Sequence, residues 1–116
     1  MQTIEEFRAM LNDAVGYITS QIAFTPRIGI ILGTGLGKLV DGIDMVGTVS
    51  YEKIPHFPVS TVESHAGRLL FGRLRGKPVV CMQGRFHYYE GYSFPQIAFP
   101  VRTLKALGIH TLIVSN

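Results

Sequence analysis

Apolar residues near the N-terminus recur every three or four positions, which is the spacing of one face of an α-helix. This stripe consists of Ile4, Phe7, Leu11, Ala14, Ile18 and Ile22. Thr3 and Glu6 stand at its start with capping-box spacing, so that each side chain can satisfy the other residue's backbone donor. Thr25-Pro26 should end the element, because the residue before a proline disfavours helical backbone. The pattern predicts a packing helix; a coiled-coil seam, the alternative, needs a longer run.

Five later stretches have the length and apolar content of β-strands. Residues 45–54 and 68–75 alternate, and residues 27–32, 77–82 and 111–115 are short runs typical of buried strands. Arg75-Gly76-Lys77 separates two of these stretches and predicts a hairpin turn, since glycine tolerates the backbone conformation that such turns require. Residues 55–67 begin with two closely spaced prolines and predict an irregular loop.

A second helix is predicted from residue 94 to about Leu107. Ser93 and Gln96 form another capping box, Pro95 lies in the first turn where its missing N–H costs nothing, and Gly108 provides a C-cap. Pro100 lies inside the helix and should kink it. The expected buried face consists of Ile97, Val101 and Leu104.

Strands that alternate with helices predict an α/β layered fold. The hairpin argues against a purely parallel sheet, so we expect one mixed β-sheet flanked by helices. A chain of 116 residues fits a single domain, residues 1–116. Asn116 directly follows an apolar strand, and ligands of α/β folds gather beyond the carboxyl ends of strands. We therefore expect the domain to be incomplete, with a functional loop absent after Asn116.

The composition narrows the possible partners. Apolar residues make up 47% of the chain and charged residues 16%, which indicates a globular protein. The net charge of +3 comes from scattered Lys and Arg, which suits small anions and predicts no nucleic-acid partner. No apolar run is long enough to cross a bilayer, and Glu5, Glu6 and Arg8 interrupt any signal-like segment, so we expect no membrane association. Cys81, the single cysteine, fits a reducing, cytoplasmic setting and a buried, inert thiol.

Residues 82–92 read Met-Gln-Gly-Arg-Phe-His-Tyr-Tyr-Glu-Gly-Tyr and are the richest in candidate chemistry. Arg85 and His87 are two residues apart, so in extended backbone their side chains point the same way and can meet one anion. A guanidinium holds a phosphate through two parallel hydrogen bonds, and imidazole adds a donor that is tunable near neutral pH. Glu90 would orient His87 or a sugar hydroxyl, and the tyrosines offer flat faces to a sugar or base. An ordinary surface loop is the alternative.

Two other segments carry weaker signals. Gly33-Thr34-Gly35-Leu36-Gly37 follows a predicted strand and could converge backbone N–H groups on an anion, with the Thr34 hydroxyl as a further donor. A purely structural glycine-rich turn gives the same pattern. His65 precedes small residues and could approach a ligand closely, although alone it reads as a solvated loop histidine. His56 and His110 have no second ligand at metal spacing, so no metal site is expected.

Together these segments resemble the purine nucleoside phosphorylases of the trimeric class that prefers inosine and guanosine. The resemblance runs from Ile28 to Asn116 and rests on residues 33–37, 65–69 and 82–92, with further similarity at 54–58 and 99–102. It implies a phosphorylase/hydrolase-like fold and the reversible phosphorolysis of purine nucleosides to free base and ribose 1-phosphate. Inorganic phosphate is then a co-substrate, no cofactor is expected, and the full-length family forms homotrimers.

The resemblance also implies roles by position. Thr34, His65, Arg85 and His87 match phosphate-binding positions, and Tyr89 matches the tyrosine that contacts ribose. His87 and Glu90 are the expected catalytic groups.

The family continues beyond Asn116 with the residues that hold the purine. We therefore expect the chain to carry most of the phosphate site and no purine site, to be inactive alone, and to self-associate or fold marginally because apolar surfaces stay uncovered.

Two alternatives remain at this point. A methylthioadenosine phosphorylase has a similar glycine loop, although Leu36-Gly37 and the Tyr88–Tyr92 segment favour the first interpretation. A non-catalytic phosphate-binding or assembly fragment is the other alternative.

Overall fold

The computed structural model describes residues 2–58, 67–84 and 93–115, and gives the backbone alone for residues 34–37. The described elements follow one another along the chain as helix α1 (Ile4–Gln21), strand β1 (Ile28–Ile31), a 3-10 helix (Thr34–Gly42), strand β2 (Ile43–Ser50), a short 3-10 turn (Tyr51–Lys53), strand β3 (Arg68–Leu74), strand β4 (Lys77–Gln83), helix α2 (Phe94–Leu107) and strand β5 (Thr111–Val114).

The strands form a five-stranded mixed sheet in the order β2-β3-β4-β1-β5. β1 runs parallel to both β4 and β5, whereas β3 runs antiparallel to β2 and β4. Leu74 pairs with Lys77, so the turn between β3 and β4 consists of Arg75 and Gly76. Their φ angles of 51° and 81° are both in the left-handed region, which matches the right-handed twist of a hairpin. The predicted hairpin and the predicted mixed sheet flanked by helices are both confirmed.

Each face of the sheet has its own apolar cluster, because side chains alternate along every strand. Leu69, Phe71, Val80 and Met82 face α1 and α2, which pack on the same side of the sheet. The opposite face carries Leu70, Val79 and Cys81, and is covered by Leu39 and Val40 of the longer 3-10 helix. Strands β3 and β4 are therefore buried on both faces, and this packing fixes the positions of their ends.

Helix α1 begins as predicted and ends earlier than predicted. The Thr3 hydroxyl accepts a hydrogen bond from the Glu6 N–H at 3.0 Å, which is the Thr3 half of the capping box. The helix ends at Gln21 because Ile22 turns to extended backbone and packs its side chain toward Gly47. The predicted stripe is wrong at its first member, since Ile4 is 73% exposed whereas Ile18 is 1% exposed. Ile4 is the first residue of the helix.

Helix α2 has the predicted caps and a different buried face. Both reciprocal hydrogen bonds of the Ser93–Gln96 capping box are present, and Gly108 ends the helix with a φ of 123°. The buried members are Phe99, Pro100, Thr103, Leu104 and Leu107, so of the predicted face only Leu104 is buried. Pro100 lies inside the helix, as predicted from the sequence, and its kink stays a prediction.

Strand β5 is not the buried strand that its composition predicts. It lies at the end of the sheet, and Leu112, Ile113 and Val114 are between 37% and 57% exposed. The predicted strand over residues 45–54 is also shifted, since β2 begins at Ile43 and gives way at Tyr51 to the 3-10 turn. Ile54 N–H bonds back to the Tyr51 carbonyl, so the chain turns there instead of extending the ladder.

Replacing Ile18 with alanine should lower the free energy of unfolding by about 2–4 kcal/mol, because the change leaves a cavity between α1 and the sheet. Ile4→Ala on the same helix is the matched control and should change it by no more than about 0.5 kcal/mol, because Ile4 is exposed. Urea unfolding followed by far-UV circular dichroism measures both values. Equal losses in the two variants would contradict the packing of α1 described above.

Candidate functional site

The candidate site lies at one edge of the sheet, at which β1, β4 and β5 all end; we call it the carboxyl edge. In the register of the sheet, Ile31 pairs with Met82 on one side and with Val114 on the other. Because β3 is antiparallel to β4, it begins where β4 ends, and Arg68 pairs with Gln83. The three segments that carry the candidate chemistry, residues 33–37, 65–69 and 82–92, are therefore all attached to the sheet at the carboxyl edge.

The end of β1 is tied to both neighbouring strands. The Leu32 N–H donates to the Met82 carbonyl at 3.1 Å, and the Ser115 N–H donates to the Ile31 carbonyl at 3.1 Å. Gly33 follows in extended conformation, and the 3-10 helix begins at Thr34. The predicted glycine cradle is thus the first turn of a helix whose N–H groups start at the carboxyl edge. The first N–H groups of a helix have no acceptor within it, which suits an anion.

A side-chain pair connects the start of β3 with the end of β4. The Nε of Arg68, which is exposed, donates a hydrogen bond to the Gln83 Oε1 at 2.7 Å. The guanidinium is thus held across the end of the hairpin, immediately before Gly84. Arg68 therefore has a defined partner, Gln83, at the carboxyl edge, although the sequence alone does not indicate one.

Tyr51 connects two segments of the site and was not predicted from the sequence. Its N–H donates to the Gly67 carbonyl at 3.1 Å, and its hydroxyl donates to the Gly84 carbonyl at 2.5 Å. The residue is 4% exposed, and this burial raises the pKa of the Tyr51 phenol, so the hydroxyl stays a protonated donor well into the alkaline range. From the sequence, Tyr51 falls inside the predicted strand 45–54, four residues before Pro55, and nothing there marks it as part of the site.

The two glycines beside Tyr51 are required by space and by backbone conformation. A Cβ at position 67 would approach the Gln83 carbonyl oxygen to 2.7 Å and the Tyr51 ring more closely still. Gly84 has a φ of 99°, which side chains rarely adopt. Gly67 therefore lets the chain pass close to Tyr51 as it enters β3, and Gly84 lets the backbone turn as it leaves β4.

The predicted site residues differ in how far the structure describes them. Thr34 is described by its backbone, which lies at the carboxyl edge. The others lie outside the described residues, namely His65, Arg85, His87, Tyr89 and Glu90. Their attachment points are described: Gly67 comes two residues after His65, and Gly84 immediately precedes Arg85. Gly67 and Gly84 are tied to the same tyrosine, so the predicted segments are attached close together.

The two histidines considered incidental from the sequence make local contacts. His56 Nε2 lies 2.9 Å from an Asp13 carboxylate oxygen, and His110 Nδ1 lies 2.9 Å from the Thr111 hydroxyl. Among residues 2–58, 67–84 and 93–115 there is no group of three or more potential metal ligands. In the same part of the chain, no helix combines the length and apolar character needed to span a membrane.

Comparison with known proteins defines the family. Residues 27–116 match the model of the phosphorylase superfamily, and the chain belongs to that family. The chain is 53% identical over 109 residues to purine nucleoside phosphorylase 1 of Geobacillus stearothermophilus, covering 94% of this chain and 40% of the relative. It is 48% identical over 105 residues to the purine nucleoside phosphorylase of Bos taurus, covering 90% of this chain and 36% of the relative.

Solved structures agree with this assignment. A Schistosoma mansoni purine nucleoside phosphorylase, crystallised with a monocyclic inhibitor, superimposes with a TM-score of 0.84 at 49% identity, over 93% of this chain and 40% of that one. The chain therefore spans about 40% of the length of the relatives that it matches. The resemblance to the N-terminal portion of these enzymes, predicted from the motifs, is confirmed. The comparisons lend no support to a methylthioadenosine phosphorylase.

Stability at alkaline pH should report on Cys81, which is fully buried in β4 two residues before Gln83. Burial raises the pKa of the Cys81 thiol from its ordinary 9.0 to about 11. Below pH 9 the thiol is protonated in both the folded and the unfolded chain. Between pH 9 and about pH 11 the unfolded chain loses the thiol proton, whereas the folded chain keeps it. The free energy of unfolding should therefore fall as the pH rises through this window.

Urea unfolding at several values between about pH 8 and about pH 10.5 would measure this loss. Cys81→Ala is the control: it shifts the whole curve downward by leaving a small cavity, and it should reduce the alkaline slope. Burial of Tyr51 contributes to the slope in both proteins. Identical slopes in the two proteins would contradict a buried, neutral thiol.

Proposed function

We propose that this chain carries most of the phosphate site and one side of the ribose site of a purine nucleoside phosphorylase. In the reaction, phosphate displaces the purine from C1′ of a purine ribonucleoside or deoxyribonucleoside, giving the free base and the sugar 1-phosphate. The single observation that supports this proposal is the meeting of three motif-bearing segments at the carboxyl edge. Ligands of α/β folds bind at this end of the strands.

The proposed roles follow from the chemistry of each group. The Arg85 guanidinium and His87 imidazole hold the phosphate, with the Thr34 hydroxyl and His65 completing the anion site. Tyr89 contacts the ribose, and Glu90 orients His87 or a sugar hydroxyl. The transition state resembles an oxocarbenium ion, so a phosphate fixed below the sugar stabilises positive charge while it stands ready to attack. Such positioning can supply about 7 kcal/mol of the barrier.

The wider setting belongs to the same proposal. Inorganic phosphate is the co-substrate and no cofactor takes part. The complete protein acts in purine salvage in the cytoplasm as a homotrimer, and the groups that recognise the purine lie outside these 116 residues.

Phosphate binding by the chain should depend on Arg85. Replacing Arg85 with alanine removes the bidentate contact and should weaken phosphate binding by at least about tenfold, since hydrogen bonds to charged groups contribute about 1.5–3 kcal/mol. Titration of inorganic phosphate followed by 31P NMR or calorimetry measures the dissociation constant.

Arg75→Ala is the matched control for that experiment. Arg75 lies in the hairpin turn at the opposite end of the sheet from the carboxyl edge, so this variant loses the same charge away from the proposed site. It should bind phosphate as the unchanged chain does. Equal weakening in both variants would indicate non-specific attraction to net charge and would contradict the proposed site.

Nucleoside turnover provides a separate test. The 116-residue chain should bind phosphate and show no measurable phosphorolysis of inosine, because the proposed purine-binding groups are not part of it. Release of hypoxanthine would be followed by absorbance, with a full-length purine nucleoside phosphorylase as the positive control. Turnover by the chain alone would show that the division of the site proposed here is wrong.

A further inference from the structure

Tyr51 holds together two parts of the backbone that are distant in sequence. It follows β2 directly, and its main chain and side chain each bond to one of the two glycines that flank the β3–β4 hairpin at the carboxyl edge. Gly67 leads into β3 and Gly84 leads out of β4. One residue thereby fixes where the chain enters and where it leaves the hairpin.

We propose that Tyr51 is a positioning residue for phosphate binding, acting through the Gly84 carbonyl on the backbone that leads to Arg85. The proposal rests on the proposed function, because it assigns a role within the same phosphate site. Tyr51 acts indirectly. Its hydroxyl donates to the main-chain carbonyl of Gly84, so its contribution is to hold the backbone of Gly84 in one orientation.

The ring and the hydroxyl of Tyr51 have separable tasks. The ring packs against Gly67 and lies 5.8 Å from the Phe57 ring, centroid to centroid, within the apolar cluster that also contains Leu69 and Met82. Phenylalanine keeps this packing. The hydroxyl alone reaches Gly84, so Tyr51→Phe removes that hydrogen bond with little change in shape.

The conformation of Gly84 explains why its carbonyl benefits from an anchor. Its φ of 99° places it in a region that glycine enters readily and also leaves readily, because glycine has no side chain to restrict it. A hydrogen bond from a buried, fixed donor selects one conformation before phosphate arrives. The binding free energy is then not reduced by the cost of ordering that peptide.

The central experiment compares phosphate binding by the 116-residue chain and by its Tyr51→Phe variant. The dissociation constant for inorganic phosphate should rise about three- to tenfold, which corresponds to about 0.7–1.4 kcal/mol and is the size expected for one hydrogen bond. Tyr17→Phe, a phenol-to-phenyl change on α1, is the matched control and should leave the constant unchanged. Circular dichroism confirms the folded fraction of each variant before titration, with sucrose added to keep a weakened variant folded.

A double variant separates positioning from general stability. If Tyr51 acts through the segment that bears Arg85 and His87, adding Tyr51→Phe to Arg85→Ala should weaken binding clearly less than Tyr51→Phe weakens it in the unchanged chain. A residue that serves stability alone would lower the unfolding midpoint and leave the dissociation constant of the folded protein unchanged. That result, with Arg85→Ala still defective, would overturn the role of Tyr51 and leave the proposed function intact.

The remaining outcomes are also decisive. Full additivity of the two substitutions would show that Tyr51 does not act through the Arg85 segment, and would overturn the inference. If the unchanged chain does not bind phosphate, the proposed function fails and the role of Tyr51 fails with it. The two failures can be told apart by the unchanged chain. If the proposed function fails, the unchanged chain does not bind phosphate; if only the role of Tyr51 fails, the unchanged chain binds phosphate and Arg85→Ala still weakens that binding.

Discussion

The parallel pairing of β1 with β4 is the constraint on which the candidate site depends. Both strands run in the same direction, so the glycine-rich segment after β1 and the Arg85 segment after β4 leave the sheet at one edge. If one strand were reversed, the two segments would leave the sheet at opposite ends, roughly 13–20 Å apart for strands of four to seven residues. The two-residue turn at Arg75-Gly76 then brings the start of β3 to the same edge.

Local chemistry made much of this architecture predictable. Capping residues place the starts of α1 and α2, Gly108 places the end of α2, and the glycine at position 76 places the hairpin. Each of these signals depends on a few neighbouring residues and on backbone conformations that only some side chains adopt. They hold whatever the remainder of the chain does.

Features that depend on distant packing were predicted less well. Ile4 and Ile113 are as apolar as buried residues, and the sequence contains no sign of whether another element covers them. The buried face of α2 is displaced because the sheet, and not the helix's own periodicity, decides which side is covered. Burial of an edge strand or of a first helical turn is a property of the whole arrangement, so a local pattern does not determine it.

The site shows the same division. Arg85, His87 and the glycine-rich segment were predicted because their residue types and spacing point to anion binding and match a family. Tyr51 belongs to none of these motifs, and the residue to which its hydroxyl bonds is 33 positions away. A phenol that donates to a main-chain carbonyl leaves no complementary side chain for sequence reasoning to detect.

The register of the sheet also has a consequence for the order of folding. The β3–β4 hairpin joins residues that are close along the chain, whereas β1 finds its β4 partners across about fifty residues, and loop closure over that distance is slower. The antiparallel half of the sheet is thus expected to form first and to serve as the surface on which β1 docks. The carboxyl edge would be completed only when β1 docks, so the chain gains the hydrophobic contacts between β3 and β4 before the glycine-rich segment after β1 is placed beside them.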